Sequence, residues 1–308
     1  MKIAMTGAHG LLGRALTQKL VERGHQIQSV ARITLAQAAG RNGPWWDPIA
    51  GKADLSSTVP FDAVIHLGGE PIAARRWNRD VKEKIRLSRT IGTQGIVDAI
   101  NALPTPPKVL ISSSAIGFYG DRGSEAVDED ATAGSGFLAE VCKEWEEAAT
   151  HLSGGADAPR LVTLRTGIVL APDGGFLAKA GLPFRFGVGG KIGDGEQYVS
   201  WIHIDDHVAA VIELLESTDL QGPFNLTGPT PVTYAAFAAA MGRVLHRPTV
   251  FTVPKGAIEL MLGKEMARET ALISQRVLPR RLREADIPFR FHTIDDALGS
   301  LFRGTDHK

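Results

Sequence analysis

Short apolar runs recur through the first half of the chain, separated by stretches in which apolar residues return every third or fourth position. The runs are Lys2–Met5, Gln26–Ala31, Ala63–Leu67, Val109–Ser112 and Leu161–Arg165, rich in Val, Ile and Leu. The helical spacing lies in Leu11–Arg23, Val81–Leu103 and Phe137–His151. Strand and helix in alternation predict a parallel sheet covered on both faces. Right-handed crossovers make it doubly wound. The expected fold class is therefore α/β, a doubly wound parallel sheet with a smaller C-terminal lobe.

After Arg165 the pattern loosens. Gly174, Gly175, Gly187, Gly189, Gly190, Gly193 and Gly195 crowd residues 171–200, which reads as a long loop with little regular structure, contributing to a cleft. Trp201–Ile204 predicts a strand, and Asp205 and Asp206 read as caps of a helix running to about Glu216. Phe224–Leu226 predicts one more strand, followed by helices punctuated by Pro248, Pro254 and Pro279. No internal repeat appears. The division expected from this pattern is a nucleotide-binding domain over 1–222 and a C-terminal lobe over 223–308.

Composition narrows the partners. Lys+Arg and Asp+Glu both total 34 in 308 residues, so the formal net charge is zero. A global attraction to nucleic acid or to an anionic membrane is not expected. Cys142 is the only cysteine, so no internal disulfide can form, which fits a reducing compartment. No apolar stretch approaches the length of a membrane span, and Lys2–Met5 runs into Thr6-Gly7 without room for a signal-peptide core. A cytoplasmic location is the expectation.

The segment Thr6-Gly7-Ala8-His9-Gly10-Leu11-Leu12-Gly13 places three glycines three apart between a strand and an amphipathic helix. The first lets the chain turn sharply, the second lets backbone approach a pyrophosphate, and the third allows helix to pack closely on strand. The free N–H groups and positive end of the helix then face the phosphates. The alternative is a tight turn without a ligand. The second strand ends Ser29-Val30-Ala31-Arg32-Ile33-Thr34, with no acid to bond a ribose 2′-hydroxyl and one arginine suited to a 2′-phosphate. This favours NADP(H) over NAD(H), against the alternative of a solvated surface arginine.

At this point the chain resembles the extended short-chain dehydrogenase/reductases. The resemblance is carried by TGAHGLLG, His66-Leu67-Gly68-Gly69-Glu70, Ser112-Ser113-Ser114-Ala115 and Ser200-Trp201-Ile202-His203-Ile204-Asp205-Asp206. More narrowly, it resembles an atypical epimerase-like branch of the NAD-dependent epimerase/dehydratase superfamily, sometimes labelled cell-division-inhibitor-like. HLGGEPI followed by Arg75–Trp77, Leu87–Arg89 and Ser274–Leu282 carry that closer likeness. The resemblance implies an NADP(H)-binding Rossmann domain with a substrate lobe. It implies Leu67, Gly68, Gly69 and Arg89 along the cofactor, beside Thr6, Leu11, Leu12, Ala31 and Ser112, with Ser114 near the nicotinamide.

The family's catalytic pattern is a tyrosine with a lysine four residues later. Tyr119, Tyr198 and Tyr234 are followed at that distance by Gly123, Ile202 and Ala238. The helix that should carry the pair reads Ala139-Glu140-Val141-Cys142-Lys143, so Lys143 remains as a ribose ligand or an ordinary surface lysine, and the acid/base is an alanine. A methyl group cannot move a proton. Glu70, Ser114 and Tyr119 are the candidate replacements, although Ser114 shows no general base in the sequence. Their bland alternatives are a salt-bridged carboxylate and a packing tyrosine. His203 and His207 invite a metal reading, but they straddle a strand-to-helix junction, so no metal is expected. Arg75-Arg76 and Arg280-Arg281-Arg283 read first as solvated faces, and Trp45-Trp46 as a plug for a loop, with a cover over the cofactor's adenine edge as the alternative. Two functions remain open: an NADP(H)-dependent oxidoreductase or epimerase of unknown small-molecule substrate, and a non-catalytic NADP(H)-sensing regulator, possibly of cell division, read by a protein partner.

Overall fold

A computed structural model of the chain describes residues 1–56, 60–155, 158–172 and 174–302. Residue 173 of the glycine-rich stretch and 303–308 of the C-terminal lobe lie outside the described residues. The chain divides into two compact units that alternate along the sequence. The first holds Met1–Ala115, Glu140–Leu164 and Val211–Pro223; the second holds Ile116–Ala139, Arg165–Ala210 and everything from Phe224. The last switch between them falls one residue from the division expected at 222, and 116–139 and 165–210 pack with the C-terminal segment.

The large sheet consists of β1 (Lys2–Thr6), β2 (Gln26–Arg32), β3 (Trp45–Asp47), β4 (Lys52–Asp54), β5 (Ala63–His66), β6 (Val109–Ala115), β7 (Arg160–Thr166) and β8 (Gly222–Leu226). Their order is β8-β7-β6-β5-β1-β2-β3-β4. β1 pairs in parallel with β2 and β5, β5 with β6, and β2 with β3, while β3 and β4 pair antiparallel at the edge. Ile3, Ala4, Met5, Ala63, Val64 and Ile65 are wholly buried, as a sheet covered on both faces requires. The register sets Thr6 opposite Val30 and His66, and His66 opposite Ser112. The C-terminal strand ends therefore stand level, where open α/β sheets place ligands.

Three helices matter for the site: α1 (Leu11–Glu22), α2 (Arg79–Asn101) and α3 (Phe137–Ala149). α1 turns Gly13, Leu16 and Leu20 inward, three and four positions apart. α2 starts two residues before the apolar pattern does, because the Asn78 side chain accepts the Val81 N–H at 2.8 Å and caps it.

The second unit corrects the expectation of a structureless loop over 171–200. A helix spans Gly175–Arg185, and strands span Gly190–Ile192 and Tyr198–Val199. Leu177, Gly181 and Phe184 recur at helical spacing and are buried. Leu177 and Phe184 join Trp201, Phe237, Met241 and Leu298 in one apolar cluster. The glycines that suggested a loop sit mostly at the ends of these elements. The next helix also differs from expectation. It begins at Ile204, and Asp206 does not cap it, because its carboxylate accepts the N–H groups of Arg290 and Phe291 at 2.9 and 3.1 Å.

Candidate functional site

The chain leaves β1 at Thr6 and turns at Gly7, whose φ of +69° lies in the left-handed region that side chains avoid. Gly10 N donates to Gly7 O at 2.9 Å, and Gly10 precedes α1 with no side-chain cap and no acid in the first turn. The N–H groups of Leu11, Leu12 and Gly13, which a helix cannot satisfy internally, thus form the open positive end of α1. A Cβ on Gly13 would lie 2.1 Å from Gly7 O, whereas on Gly10 it would meet Gly7 O alone, at 3.3 Å. Helix is packed hard on turn at one glycine, and the backbone is left approachable at the other. That is a cradle shaped for a pyrophosphate.

Beneath the turn lies a buried polar chain. Gly68 N donates to Thr6 Oγ1 at 3.0 Å, Thr6 Oγ1 bonds His66 Nδ1 at 2.7 Å, and His66 Nε2 bonds Thr93 Oγ1 at 3.1 Å. Burial, helped by the Arg89 charge, pushes the His66 pKa down to about 3. The ring is therefore neutral and can donate at one nitrogen while accepting at the other. Trp46 stands edge-on to His66 at 5.0 Å and donates its Nε1–H to Gly92 O at 2.7 Å. It is a buried residue of β3, packed in the sheet rather than plugging a loop.

Around the turn, Ala31 and Arg32 close β2, and Leu67 to Glu70 follow β5. Half-exposed Arg32 donates through Nη2 to Glu70 Oε2 at 2.7 Å. Glu70 N donates to Ser88 Oγ at 3.0 Å, and Glu70 O accepts from Arg89 Nη1 at 3.0 Å. A Cβ on Gly69 would lie 3.3 Å from Arg89 Cζ, so the strand end runs directly over that guanidinium. The Ser112 hydroxyl, level with His66, is buried without a hydrogen-bond partner among the described residues. An orphaned hydroxyl beside an open cradle fits a bound group that supplies the missing partner. Lys143 is exposed on α3.

The three candidate acid/bases each have different partners. Glu70 is ion-paired with Arg32, as above. Ser114 Oγ donates to Glu146 Oε1 at 2.7 Å. Glu146, which the sequence reading does not single out, places a carboxylate on Ser114. A signal was available: Ala139, Cys142 and Glu146 sit three, four and seven residues apart, on one face of α3. Cys142 shares this corner, and burial pushes its thiol up to about 12 against the pull of Arg89. Tyr119, in the second unit, is wholly buried. Its hydroxyl donates to Asn225 Oδ1 at 2.7 Å and accepts from Arg165 Nη1 at 2.9 Å, and burial raises its pKa to about 12. Its hydroxyl thus donates one hydrogen bond and accepts another inside the second unit.

Arg75 and Arg76 are exposed in the first unit, and the other constellations lie within the second. His203 Nδ1 accepts the Asp205 N–H at 3.0 Å, and its Nε2 bonds Ser300 Oγ at 3.1 Å. His207 bonds Thr166 Oγ1 at 3.3 Å instead. Among the described residues, no group of three His, Cys, Asp or Glu side chains could hold a metal ion. Arg280 pairs with Asp128 at 3.6 Å, Arg281 stacks over Phe224 at 4.3 Å, and Arg283 donates to Pro229 O at 2.6 Å. Among the described residues, no helix is long and apolar enough to cross a membrane.

Known proteins resemble the chain along nearly its whole length. Residues 3–140 match the NAD dependent epimerase/dehydratase family, and 253–301 match a domain of unknown function, DUF1731. An epimerase family protein of Mycobacterium tuberculosis is 39% identical over 297 residues, covering 96% of each chain. The human epimerase family protein SDR39U1 is 33% identical over 304 residues, covering 98% of this chain and 99% of its own. A crystal structure of the human protein (isoform 2) with NADPH superposes with a TM-score of 0.88 at 32% identity, covering 98% of this chain and 99% of that one.

Proposed function

The chain belongs to the NAD dependent epimerase/dehydratase family, and on that footing we propose that its first unit binds NADP(H) for use on a small polar, nucleotide- or sugar-like substrate, as an oxidoreductase or epimerase. The observation that carries this is the open cradle from Gly7 to Gly13 with Arg32 at the end of the neighbouring strand. The human relative solved with NADPH supports the same cofactor.

In this reading Thr6, Gly7, Gly10, Leu11, Leu12 and Gly13 hold the pyrophosphate. Ala31 and Arg32 hold the adenosine 2′-phosphate. Leu67, Gly68, Gly69, Arg89 and Ser112 line the remaining length, and Lys143 reaches the ribose from α3. The bound nicotinamide supplies hydride transfer. Ser114 Oγ then holds a proton for the substrate oxygen, and Glu146 Oε1, already its acceptor at 2.7 Å, takes or returns that proton. Glu146 lies two turns along α3 from Ala139, the position of the family's tyrosine.

One observation favours a second reading. Ala139 is buried, with a methyl group where the family's acid/base stands. A protein that binds NADP(H) and reports its occupancy to a protein partner, possibly in cell division, needs no such acid.

A screen of the purified protein with NADPH against carbonyl compounds and nucleotide sugars separates the two. The enzyme reading expects cofactor consumption with one class, reduced about 10²–10⁴-fold in Ser114→Ala and Glu146→Gln while NADPH affinity is kept. No turnover across the panel, with NADPH still bound tightly and a protein co-purifying, establishes the regulator instead.

A further inference from the structure

In the sheet, β1 stands between β2 and β5. Arg32 is the last residue of β2, and Glu70 comes four residues after the end of β5. Neighbouring strands are about 4.8 Å apart, so the Arg32–Glu70 ion pair must reach across roughly 10 Å. What it crosses is the end of β1, where the chain enters the glycine turn. The Glu70 carboxylate is presented from a fixed backbone, because Ser88 and Arg89 of α2 hold its N–H and carbonyl at 3.0 Å each.

A second acid lies near Arg32, but its oxygens are engaged elsewhere. Asp47 accepts the N–H groups of Leu35, Ile49 and Ala50 at 2.7, 3.0 and 3.0 Å. It and Arg32 act on each other as charges through space. Glu70 is the acid that bonds the Arg32 guanidinium directly.

We propose that Glu70 is a built-in competitor for Arg32, and that it sets how strongly the protein prefers NADP(H) over NAD(H). The inference rests on the NADP(H) reading above. A guanidinium edge engaged by a carboxylate is not offered to a phosphate, and a carboxylate left beside a 2′-phosphate repels it. NADP(H) therefore binds by exchanging Glu70 for its phosphate on Arg32. NAD(H), with a 2′-hydroxyl, needs no such exchange. The preference for the phosphorylated cofactor is thereby smaller than Arg32 alone would produce. An acid is missing from the end of β2 in the sequence, yet the fold brings one there from the next strand but one.

The test is a titration of wild type, Glu70→Gln, Arg32→Ala and the double variant with NADPH and NADH, read by nicotinamide fluorescence. Glu70→Gln keeps both backbone bonds, and a thermal melt checks that it folds. It is expected to bind NADPH about two- to five-fold more tightly with NADH unchanged, the scale of a part-exposed ion pair. The gain should shrink in about 1 M salt, where charges are screened within ~3 Å. It should vanish in the Arg32→Ala background, where there is nothing left to compete for. Suppose Arg32→Ala selectively weakens NADPH while Glu70→Gln leaves it unchanged or weaker. Then the competitor role is wrong and the cofactor reading stands. If Arg32→Ala weakens both cofactors equally, or the wild type binds neither, the cofactor reading fails and the competitor role falls with it.

Discussion

Three side chains that looked alike as catalytic candidates are separated by what their polar atoms touch. Tyr119 is the clearest case. Its hydroxyl joins Asn225 and Arg165, and the Arg165 guanidinium also stacks on Phe118 at 3.6 Å. Removing that oxygen takes a partner from buried Asn225 Oδ1 and from Arg165 Nη1. Tyr119→Phe is therefore expected to cost about 1–3 kcal/mol of stability in urea unfolding, with NADPH affinity and any turnover retained. Unchanged stability with turnover abolished would return Tyr119 to the list of acid/bases. Ser114 stands at the opposite pole, because its hydroxyl bonds a carboxylate that can accept its proton. Glu70 differs again: its carboxylate is committed to a cation rather than to a hydroxyl.

At the scale of elements, the turn before α1 makes different demands of its glycines, and the two consequences can be measured apart. At Gly13 a methyl group would lie 2.1 Å from Gly7 O and 2.7 Å from Ala8 Cα, backbone atoms that cannot step aside without moving the helix. Gly13→Ala should cost about 1–3 kcal/mol or more in a melt and lose NADPH binding with it. At Gly10 the same methyl would meet Gly7 O at 3.3 Å and otherwise open space. Gly10→Ala should fold near normally yet weaken NADPH, because the methyl occupies the approach to the helix end. NADPH binding as in wild type would show that this turn is not the phosphate cradle. The start of α3 is settled differently, by a distant carboxylate. Glu269 accepts the N–H groups of Phe137 and Leu138 at 2.7 Å, from 131 and 132 residues along the chain.

For the whole molecule, buried histidines set the response to acid. Burial lowers the pKa of His66 to about 3 and of His207 to about 4, from an ordinary 6.5, and lowers that of His203 as well. Below about pH 6.5 the unfolded chain takes up these protons while the native chain does not. The stability they represent is complete above that pH and is lost as pH falls. The loss is about 1.4 kcal/mol per pH unit for each histidine, until its own folded pKa is reached. Glu129 and Asp206 act in the other direction at lower pH, since burial raises both carboxyls. Urea unfolding between pH 7 and 5 should show the decline, and His66→Gln should make it shallower without abolishing it. A stability flat across that range would mean that the buried rings gain protons without unfolding.

What the sequence determined by itself is the local and periodic part of this protein. Alternating apolar runs and helical spacing located β1, β2, β5, β6 and β7 and the three helices around them, because strand and helix periods are written residue by residue. The glycine turn was legible for the same reason, since Gly7 and Gly13 answer to conformational limits set within a few residues. Only the tertiary structure decided matters that depend on which distant atoms meet. It turned the glycine-rich stretch into a helix by burying Leu177 and Phe184. It took Asp206 from capping its own helix to holding the backbone of Arg290 and Phe291. It brought Glu146 to Ser114 and Glu70 to Arg32, pairings 32 and 38 residues apart. A charge or a hydroxyl acts through space over a few ångströms, and in a doubly wound sheet those neighbours come from other strands and helices.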